Sequence, residues 1–436
     1  MDIQKQSTKF IKPATQTPPT LHHHKLGLID ECAPPFNISV VFFYAADTNN
    51  PNFVSHLEKS LEKTLPRFYP LAGRYLEAAD RVIECLDQGV EFIHAKVTNV
   101  KYEEIVGSEE NLKLVDQLIP SPLGAVDQVT DPLLSIQVTT FESGGGVALG
   151  VSISHRVGDT ATLFIFLNEW AAITRGESQT DFPPGSGFNT ASFFPARGSS
   201  TPKLFPRTKS SDNLYRNKYV TKKLSFSESE ISNLKDKVMV VGSEHQQYFS
   251  KVQLVSAFIW KALSDMDQRT NGEYPPRCSV LLWAINLRGK STSLIPSDSC
   301  GNLSTAVSAK CETNDETVES LARLVRNSVK GFMDSYSKVR DDKEQVQKMV
   351  IKSRSDAAVI PPNSTVIRLT SWCKFPYYQL DFGFGKPIWV NRGRAIGKNV
   401  VYLMDDAGGN GVEAYVGVET KDVPYFEEAL LNIKAY

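Results

Sequence analysis

An α/β fold with helices layered on mixed sheets is what this chain predicts, and three observations carry that prediction. The first is length: 436 residues suffice for two domains and a large buried core. The second is that strand-like apolar runs mix irregularly with runs at helical spacing. They show neither the βαβ period of a doubly wound sheet nor an internal repeat. The third is a shift in composition between about residues 179 and 217, where Pro, Gly, Ser and Thr dominate around aromatic islands such as Phe193-Phe194. That shift marks an interdomain crossover near the middle of the chain. The expected division is residues 1–180, a crossover over 181–217, and residues 218–436.

The elements follow in order. Residues up to about Thr20 are polar with repeated Pro and Thr and read as an extended arm. Ile38 to Tyr44 is an apolar run suited to a buried strand. Phe53, Val54, Leu57, Leu61 and Leu65 keep helical spacing until Pro66 stops the helix. Val82 to Leu86 and Val90 to Val97 read as a hairpin around Asp87-Gln88-Gly89. Val147, Leu149, Val151 and Ile153 alternate with Ala148, Gly150, Ser152 and Ser154, a strand with one bulky and one small face; Gly144-Gly145-Gly146 gives it a flexible entry. Thr160 to Ile173 is a mainly apolar helix, so His155 to Asp159 is a strand-to-helix turn. Past the crossover, Lys222 to Phe226 reads as a strand, and Ser227 with Glu230 forms a capping box. Val252 to Ser264 is a helix, Val280 to Asn286 a strand, and Glu316 to Lys352 largely helical. Four late strands complete the pattern: Ser364 to Cys373, Pro387 to Val390, Val400 to Met404 and Val412 to Val418. The last two flank a hairpin loop at Asp405 to Gly411.

Composition narrows the function classes. Lys plus Arg is 48 against 49 Asp plus Glu, so no field of one sign favours nucleic acid or an anionic membrane. Six scattered cysteines without a C-x-x-C pair do not make a disulfide framework. The start lacks a signal-peptide core and no apolar run is long enough to span a bilayer, so a cytosolic enzyme is expected.

The chemical signals are Ser154-His155-Arg156-Val157-Gly158-Asp159 and Asp381-Phe382-Gly383-Phe384-Gly385-Lys386-Pro387. A histidine with a carboxylate four positions on places a base at the mouth of a site and anchors its loop from behind. The plain alternatives are a histidine bonded to backbone at a strand end and an Asp that caps the next helix. Placement on a turn above a rigid strand favours a functional role, and the small face beside it is expected to leave room for a ligand. Asp381-Phe382-Gly383 invites a kinase reading, which fails because no H-R-D loop lies close before it and no A-P-E follows. His22-His23-His24 are adjacent in sequence and are not expected to converge on a metal. G-x-S-x-G and Walker motifs are both missing from the sequence.

With these blocks in hand, the chain resembles the plant BAHD acyltransferases over nearly its whole length, particularly the branch with vinorine synthase and acetyltransferases of alkaloid and terpenoid alcohols. The resemblance also rests on Leu28-Ile29-Asp30, Phe68 to Arg74, Asn286-Leu287-Arg288, Gly301-Asn302-Leu303-Ser304 and Thr370-Ser371-Trp372-Cys373. Two positions depart from the family pattern: Thr160 stands where Gly is usual, and Phe384 replaces the usual Trp.

The resemblance implies two similar-sized domains of the chloramphenicol acetyltransferase type, each a mixed sheet with helices, with an active-site channel between them. It implies no permanent cofactor and no metal, acyl-CoA (acetyl-CoA or a short-chain acyl-CoA) as co-substrate, a small-molecule alcohol as acceptor, and a monomer. His155 would take the acceptor's proton as its oxygen attacks the thioester carbonyl, an imidazole with reference pKa of about 6.5 being suited to that task. Both substrates meet at one base, so no covalent acyl-enzyme is needed. Asp159 and Asp381 complete the essential set as structural carboxylates, one of them expected to pair with Arg288. Lys251, Ser256, Thr370, Ser371 and Trp372 are the expected coenzyme A contacts, and Thr370, Ser371 or Asn302 the expected oxyanion donor. The function expected is O-acylation of a plant specialised metabolite. N-acylation or an aromatic acyl donor is the enzymatic alternative, and a non-catalytic metabolite-binding relative is the alternative from another class.

Overall fold

Period-two alternation over Val147–Ser154 does produce a strand, but both of its faces are buried, which places it inside a sheet covered on two sides. The computed structural model describes residues 1–436 except 46–51, 77–81, 108–111, 122–127, 144, 178–186, 197–217, 239–247, 272–277, 291–293, 313–316, 340–341, 396 and 436. In chain order the strands are β1 (Ile3–Ile11), β2 (His23–Lys25), β3 (Asn37–Tyr44), β4 (Arg74–Leu76), β5 (Val82–Glu84), β6 (Val90–Val97), β7 (Leu134–Phe141) and β8 (Val147–Ser154). There follow β9 (Tyr219–Phe226), β10 (Ser279–Asn286), β11 (Ser304–Cys311), β12 (Thr365–Ser371), β13 (Trp389–Asn391), β14 (Val400–Asp405) and β15 (Val412–Glu419).

The chain forms two compact units. One comprises Met1–Ser211, Pro296–Leu303 and Phe375–Arg394; the other Asp212–Ile295, Ser304–Lys374 and Ala395–Tyr436. No single cut separates them, which departs from the expected division. Asp381 and its loop, expected in the C-terminal domain, belong to the first unit. The physical reason is pairing: β13 runs antiparallel to β3, Trp389 opposite Phe43, so this late strand extends the first sheet rather than the second. Within the expected crossover, Phe188, Thr190 and Phe194 are buried, and the Phe194 carbonyl accepts from Leu28 N at 2.8 Å. That part belongs to the first unit; most of the crossover, like Gly144, lies outside the described residues.

In the first unit a mixed six-stranded sheet runs β1-β6-β7-β8-β3-β13, beside a three-stranded sheet β2-β5-β4. The expected N-terminal arm is an edge strand instead. β1 pairs antiparallel with β6, and its polar residues face outward, which hid the strand among Gln, Lys and Thr. The expected hairpin is absent too. β5 pairs with β2 and β4, whereas β6 lies between β1 and β7. At Asp87 and Gly89 positive φ angles of 55° and 98° turn the chain from one sheet to the other. Helix α1 (Phe53–Thr64) packs on α2 (Thr160–Arg175). Trp170 of α2, fully buried, donates its indole N–H to Ser60 Oγ at 3.0 Å, so its polar edge is satisfied where its rings fill the core.

In the second unit a mixed sheet runs β11-β10-β12-β14-β15-β9, with β10, β12 and β14 mutually parallel. Helices α3 (Glu228–Val238), α4 (Lys251–Asn271), α5 (Val318–Val339), α6 (Lys343–Ala358) and α7 (Val423–Ala435) accompany it. The buried row Leu254, Val255, Phe258, Leu263 and Met266 of α4 joins one core with Leu281, Ile367, Val401 and Val416 of the sheet; each such side chain contributes about 1.5–3 kcal/mol. The Ser227 capping box forms as expected: Glu230 N donates to Ser227 Oγ at 3.2 Å and Ser227 N to Glu230 Oε2 at 2.8 Å.

Candidate active site

β8 ends at Ser154, and the next residue is fixed at once. His155 N donates to Phe36 O at 3.0 Å, which continues the pairing of β8 with β3 by one step. The ring then meets a residue from the other half of the sequence. His155 Nδ1 lies 2.9 Å from Asn302 Oδ1, while Asn302 Nδ2 donates to His155 O at 2.8 Å and to Asp30 Oδ1 at 2.9 Å. Two acceptors for Nδ2 settle which end of the amide is nitrogen. Oδ1 can only accept, so Nδ1 is the donor to it, and a neutral ring then keeps its lone pair at Nε2.

Asp159 is the N-cap of α2. One carboxylate oxygen accepts from Thr162 N at 3.0 Å and Thr162 Oγ1 at 3.2 Å; the other accepts from Leu303 N at 3.0 Å. Thr162 Oγ1 also donates to Gly301 O at 2.8 Å and accepts from Gly301 N at 2.9 Å. Asp159 is buried and ties the segment carrying Asn302 to the turn carrying His155. Thr160, where the family pattern has Gly, is the first residue of α2 and is not among the residues with positive φ, so the backbone there does not need glycine. Gly301 does: its φ is +106°, and a Cβ would sit 2.1 Å from Thr190 Cγ2.

Asp30 lies in the one-turn helix Leu28–Glu31. Its carboxylate accepts from Gly27 N at 2.8 Å, Thr190 Oγ1 at 2.5 Å, Asn302 N at 2.9 Å and Asn302 Nδ2 at 2.9 Å. Burial pushes this carboxyl up to about 6, with the four hydrogen bonds pulling the other way. Only the bond from Gly27 is local; the other partners come from 160 and 272 positions away.

Asp381 sits elsewhere. Its Oδ1 accepts from Gly383 N at 2.7 Å and Gly385 N at 3.0 Å, and both glycines have left-handed φ angles, 92° and 98°. Arg175 donates to the Asp381 backbone carbonyl. Tyr44 OH donates to Leu380 O at 3.1 Å, and burial with the nearby Asp381 charge holds the Tyr44 phenol well above its usual range. Phe384 stands edge-on to Tyr44 at 4.9 Å and faces Phe382 at 6.1 Å, so it fills the place expected for Trp with ring contacts. Tyr44 ends β3 opposite Val147, whereas Asn37 begins it opposite Ser154. The Asp381 loop and His155 are therefore at opposite ends of β3, roughly 23 Å apart at about 3.3 Å per residue. Within its own loop Asp381 closes a corner through the Gly383 and Gly385 amides.

The other side chains singled out from sequence have these surroundings. The small face of β8 is not ligand space along its length: a Cβ at Gly150 would lie 2.0 Å from Leu118 O, and Ser152 Oγ pairs with Ser39 Oγ at 2.9 Å. Asn302 cannot serve an oxyanion, since both Nδ2 protons are committed. Lys251 Nζ meets Asp405 Oδ1 at 2.7 Å, Gly409 O at 2.6 Å and Gly411 O at 3.1 Å, which uses its three donors to clamp the β14–β15 hairpin. Ser256 is fully buried and donates to Val252 O at 2.6 Å. Trp372 is buried edge-on to Tyr402 at 6.2 Å. Thr370 and Ser371 are half-buried at the end of β12, where Ser371 Oγ accepts from Cys373 N at 3.3 Å. Arg288, in the second unit, is buried and its Nη1 donates to Asn286 Oδ1 at 3.1 Å. The three adjacent histidines have separate surroundings: His22 Nε2 is 3.2 Å from Thr17 O, His24 Nδ1 is 3.3 Å from Tyr69 OH, and His23 is exposed.

This fold is shared with known transferases. The fold is similar to the crystal structure of vinorine synthase, with a TM-score of 0.80 and 29% identity, covering 99% of this chain and 98% of that one. TRI101 of F. sporotrichioides, solved with coenzyme A and T-2, shares the fold alone, with a TM-score of 0.67 and 18% identity over 93% of this chain and 97% of that one. In sequence, vinorine synthase of Rauvolfia serpentina is 30% identical over 99% of this chain and 97% of its own length. A pelargonidin caffeoylglucoside malonylglucoside malonyltransferase of Salvia splendens is 32% identical over 98% of each. The transferase family model matches residues 1–431. The chain belongs to the plant BAHD acyltransferases and is an acyl-CoA-dependent acyltransferase. No helix among the described residues is long and apolar enough to cross a membrane.

Proposed function

We propose that this enzyme transfers an acetyl or other short aliphatic acyl group from coenzyme A to a hydroxyl of a plant specialised metabolite, with His155 as the general base. The observation that carries this reading is the contact of His155 with Asn302. Nδ1 lies 2.9 Å from Asn302 Oδ1, an oxygen that can only accept. That leaves Nε2 to accept the acceptor's O–H proton as the oxygen attacks the thioester carbonyl. Collapse of the tetrahedral intermediate breaks the C–S bond, and the proton held at Nε2 passes to the departing thiolate. Atoms balance without a covalent acyl-enzyme. Asp159 keeps the turn in place, and Thr370 and Ser371 are retained as the proposed contacts to the donor. The O-acyl reading is supported by the activities of relatives, among them a salutaridinol 7-O-acetyltransferase of Papaver somniferum, 29% identical over 98% of this chain.

The test is free-thiol release from acetyl-CoA by the wild-type enzyme and by His155→Ala across panels of plant alcohols and amines. Alcohol-dependent release that falls by about 10²- to 10⁴-fold in the variant is the expected result. Release with amines alone would overturn O-acylation. Release only with malonyl-CoA or an aromatic acyl-CoA would overturn the donor assignment, and unchanged release in the variant would sink the base.

A further inference from the structure

The tautomer of His155 depends on the Asn302 amide facing one way, and something must hold it there. An amide reversed by half a turn would point Nδ2 at the ring, which would then accept at Nδ1 and carry its proton at Nε2. Such a ring cannot take a proton from the acceptor. The groups around Asn302 decide between the two orientations. Nδ2 meets two oxygens, His155 O at 2.8 Å and Asp30 Oδ1 at 2.9 Å, and the carboxylate is acceptor-only when ionised.

We propose that Asp30 is a positioning residue for the transfer reaction: by accepting both the backbone N–H and the side-chain N–H of Asn302, it fixes the amide so that Oδ1 faces His155 Nδ1. The proposal rests on the reading of His155 as base and extends it one residue deeper. A local role for Asp30, capping its own one-turn helix, accounts for the bond from Gly27 N and for nothing else. The remaining donors, Thr190 Oγ1 and the two N–H groups of Asn302, come from distant segments. Their approach is built in. Gly301 lies so close to Thr190 that even a methyl group there would meet Thr190 Cγ2 at 2.1 Å. Asp30 itself is 3% exposed, so water does not compete for its oxygens, and each bond to it is made in a low-dielectric setting where orientation matters most.

The experiment reads the ring directly. Histidine labelled with ¹⁵N, with the His155 signals assigned by their loss in His155→Ala, reports which ring nitrogen carries the proton. The wild-type enzyme above pH 7 is expected to show Nδ1–H with unprotonated Nε2. Asp30→Asn should shift His155 towards the Nε2–H tautomer. It should also lower kcat by at least about tenfold, below the roughly 10⁴-fold cost of a wrongly tautomerised histidine base, with KM for acyl-CoA unchanged. In an Asn302→Ala background the same substitution should cost no further activity, because Asp30 acts through Asn302. Wild-type His155 found protonated at Nε2 would overturn the proposal. An unchanged tautomer in a folded Asp30→Asn enzyme would overturn it too, as would full additivity with Asn302→Ala. If Asp30→Asn switches the tautomer while His155→Ala retains activity, the positioning of the ring stands and the assignment of His155 as base falls.

Discussion

Two aspartates stand at opposite ends of β3, each accepting backbone amides, yet they organise their surroundings differently. Asp381 accepts from Gly383 and Gly385, neighbours two and four positions on, so its corner is closed by its own loop. Asp159 accepts from its own helix through Thr162 and from Leu303, 144 positions away. One carboxylate shapes a local turn; the other holds together segments that meet only in the folded unit. A short-range motif can be built anywhere on a scaffold, whereas a base with a chosen tautomer needs partners converging from several segments.

The largest effect that would sharpen this contrast is expected at Asp159. Asp159→Ala removes a helix N-cap, worth about 1 kcal/mol, and strands the Leu303 N–H, at about 1–3 kcal/mol for a buried donor. Thermal unfolding should show about 2–4 kcal/mol lost, together with a fall in kcat as the Asn302 segment loosens. Equal losses at Asp159 and Asp381 would break the comparison.

The second effect is a pH dependence at the His155 end. Burial raises the Asp30 carboxyl from its ordinary 3.8 to about 6, so between those values the folded state holds more protons than the unfolded chain. The Asp30 contribution to stability is then fully present below about pH 4 and is lost as pH rises through about 6, by up to about 3 kcal/mol. Measured by denaturant unfolding, the stability of wild type relative to Asp30→Asn should fall as pH rises across that window. A difference that grows with pH would contradict the burial argument.

Smallest is Asp381→Ala. It forfeits two hydrogen bonds on a solvent-facing loop, about 1–2 kcal/mol in all. The Phe382, Phe384 and Tyr44 rings still pack, so unfolding should shift modestly. The tautomer of His155, at the far end of the strand, should not move. A switched tautomer would join the two ends after all.

Much of the chain was legible in order. The strand before His155, the helix after Asp159, the Pro66 stop, the Ser227 capping box and the Asp405–Gly411 hairpin loop each rest on contacts within a few residues, and local pattern reports those. β7 and β11 carried the same period-two signal, in Leu134–Phe141 and Ser304–Cys311, and it could have been read. β1 was hidden by its exposed polar face, and β13 joined the first sheet although it follows most of the second in sequence. Lys251 and Ser256 suit a nucleotide by residue type, but an ammonium clamped by three oxygens and a hydroxyl returned to its own helix are properties of packing.

The sequence by itself determined the α/β class, the family and the turn that carries the base, because backbone propensity, hydrophobic period and motif order are properties of neighbouring residues. Only the tertiary structure decided which atom faces His155 Nδ1. That choice depends on hydrogen bonds from Asn302 and, behind it, Asp30, whose partners lie 147 and 272 positions apart along the chain. Such bonds have direction as well as distance, and direction exists only once the segments have been brought together and water removed.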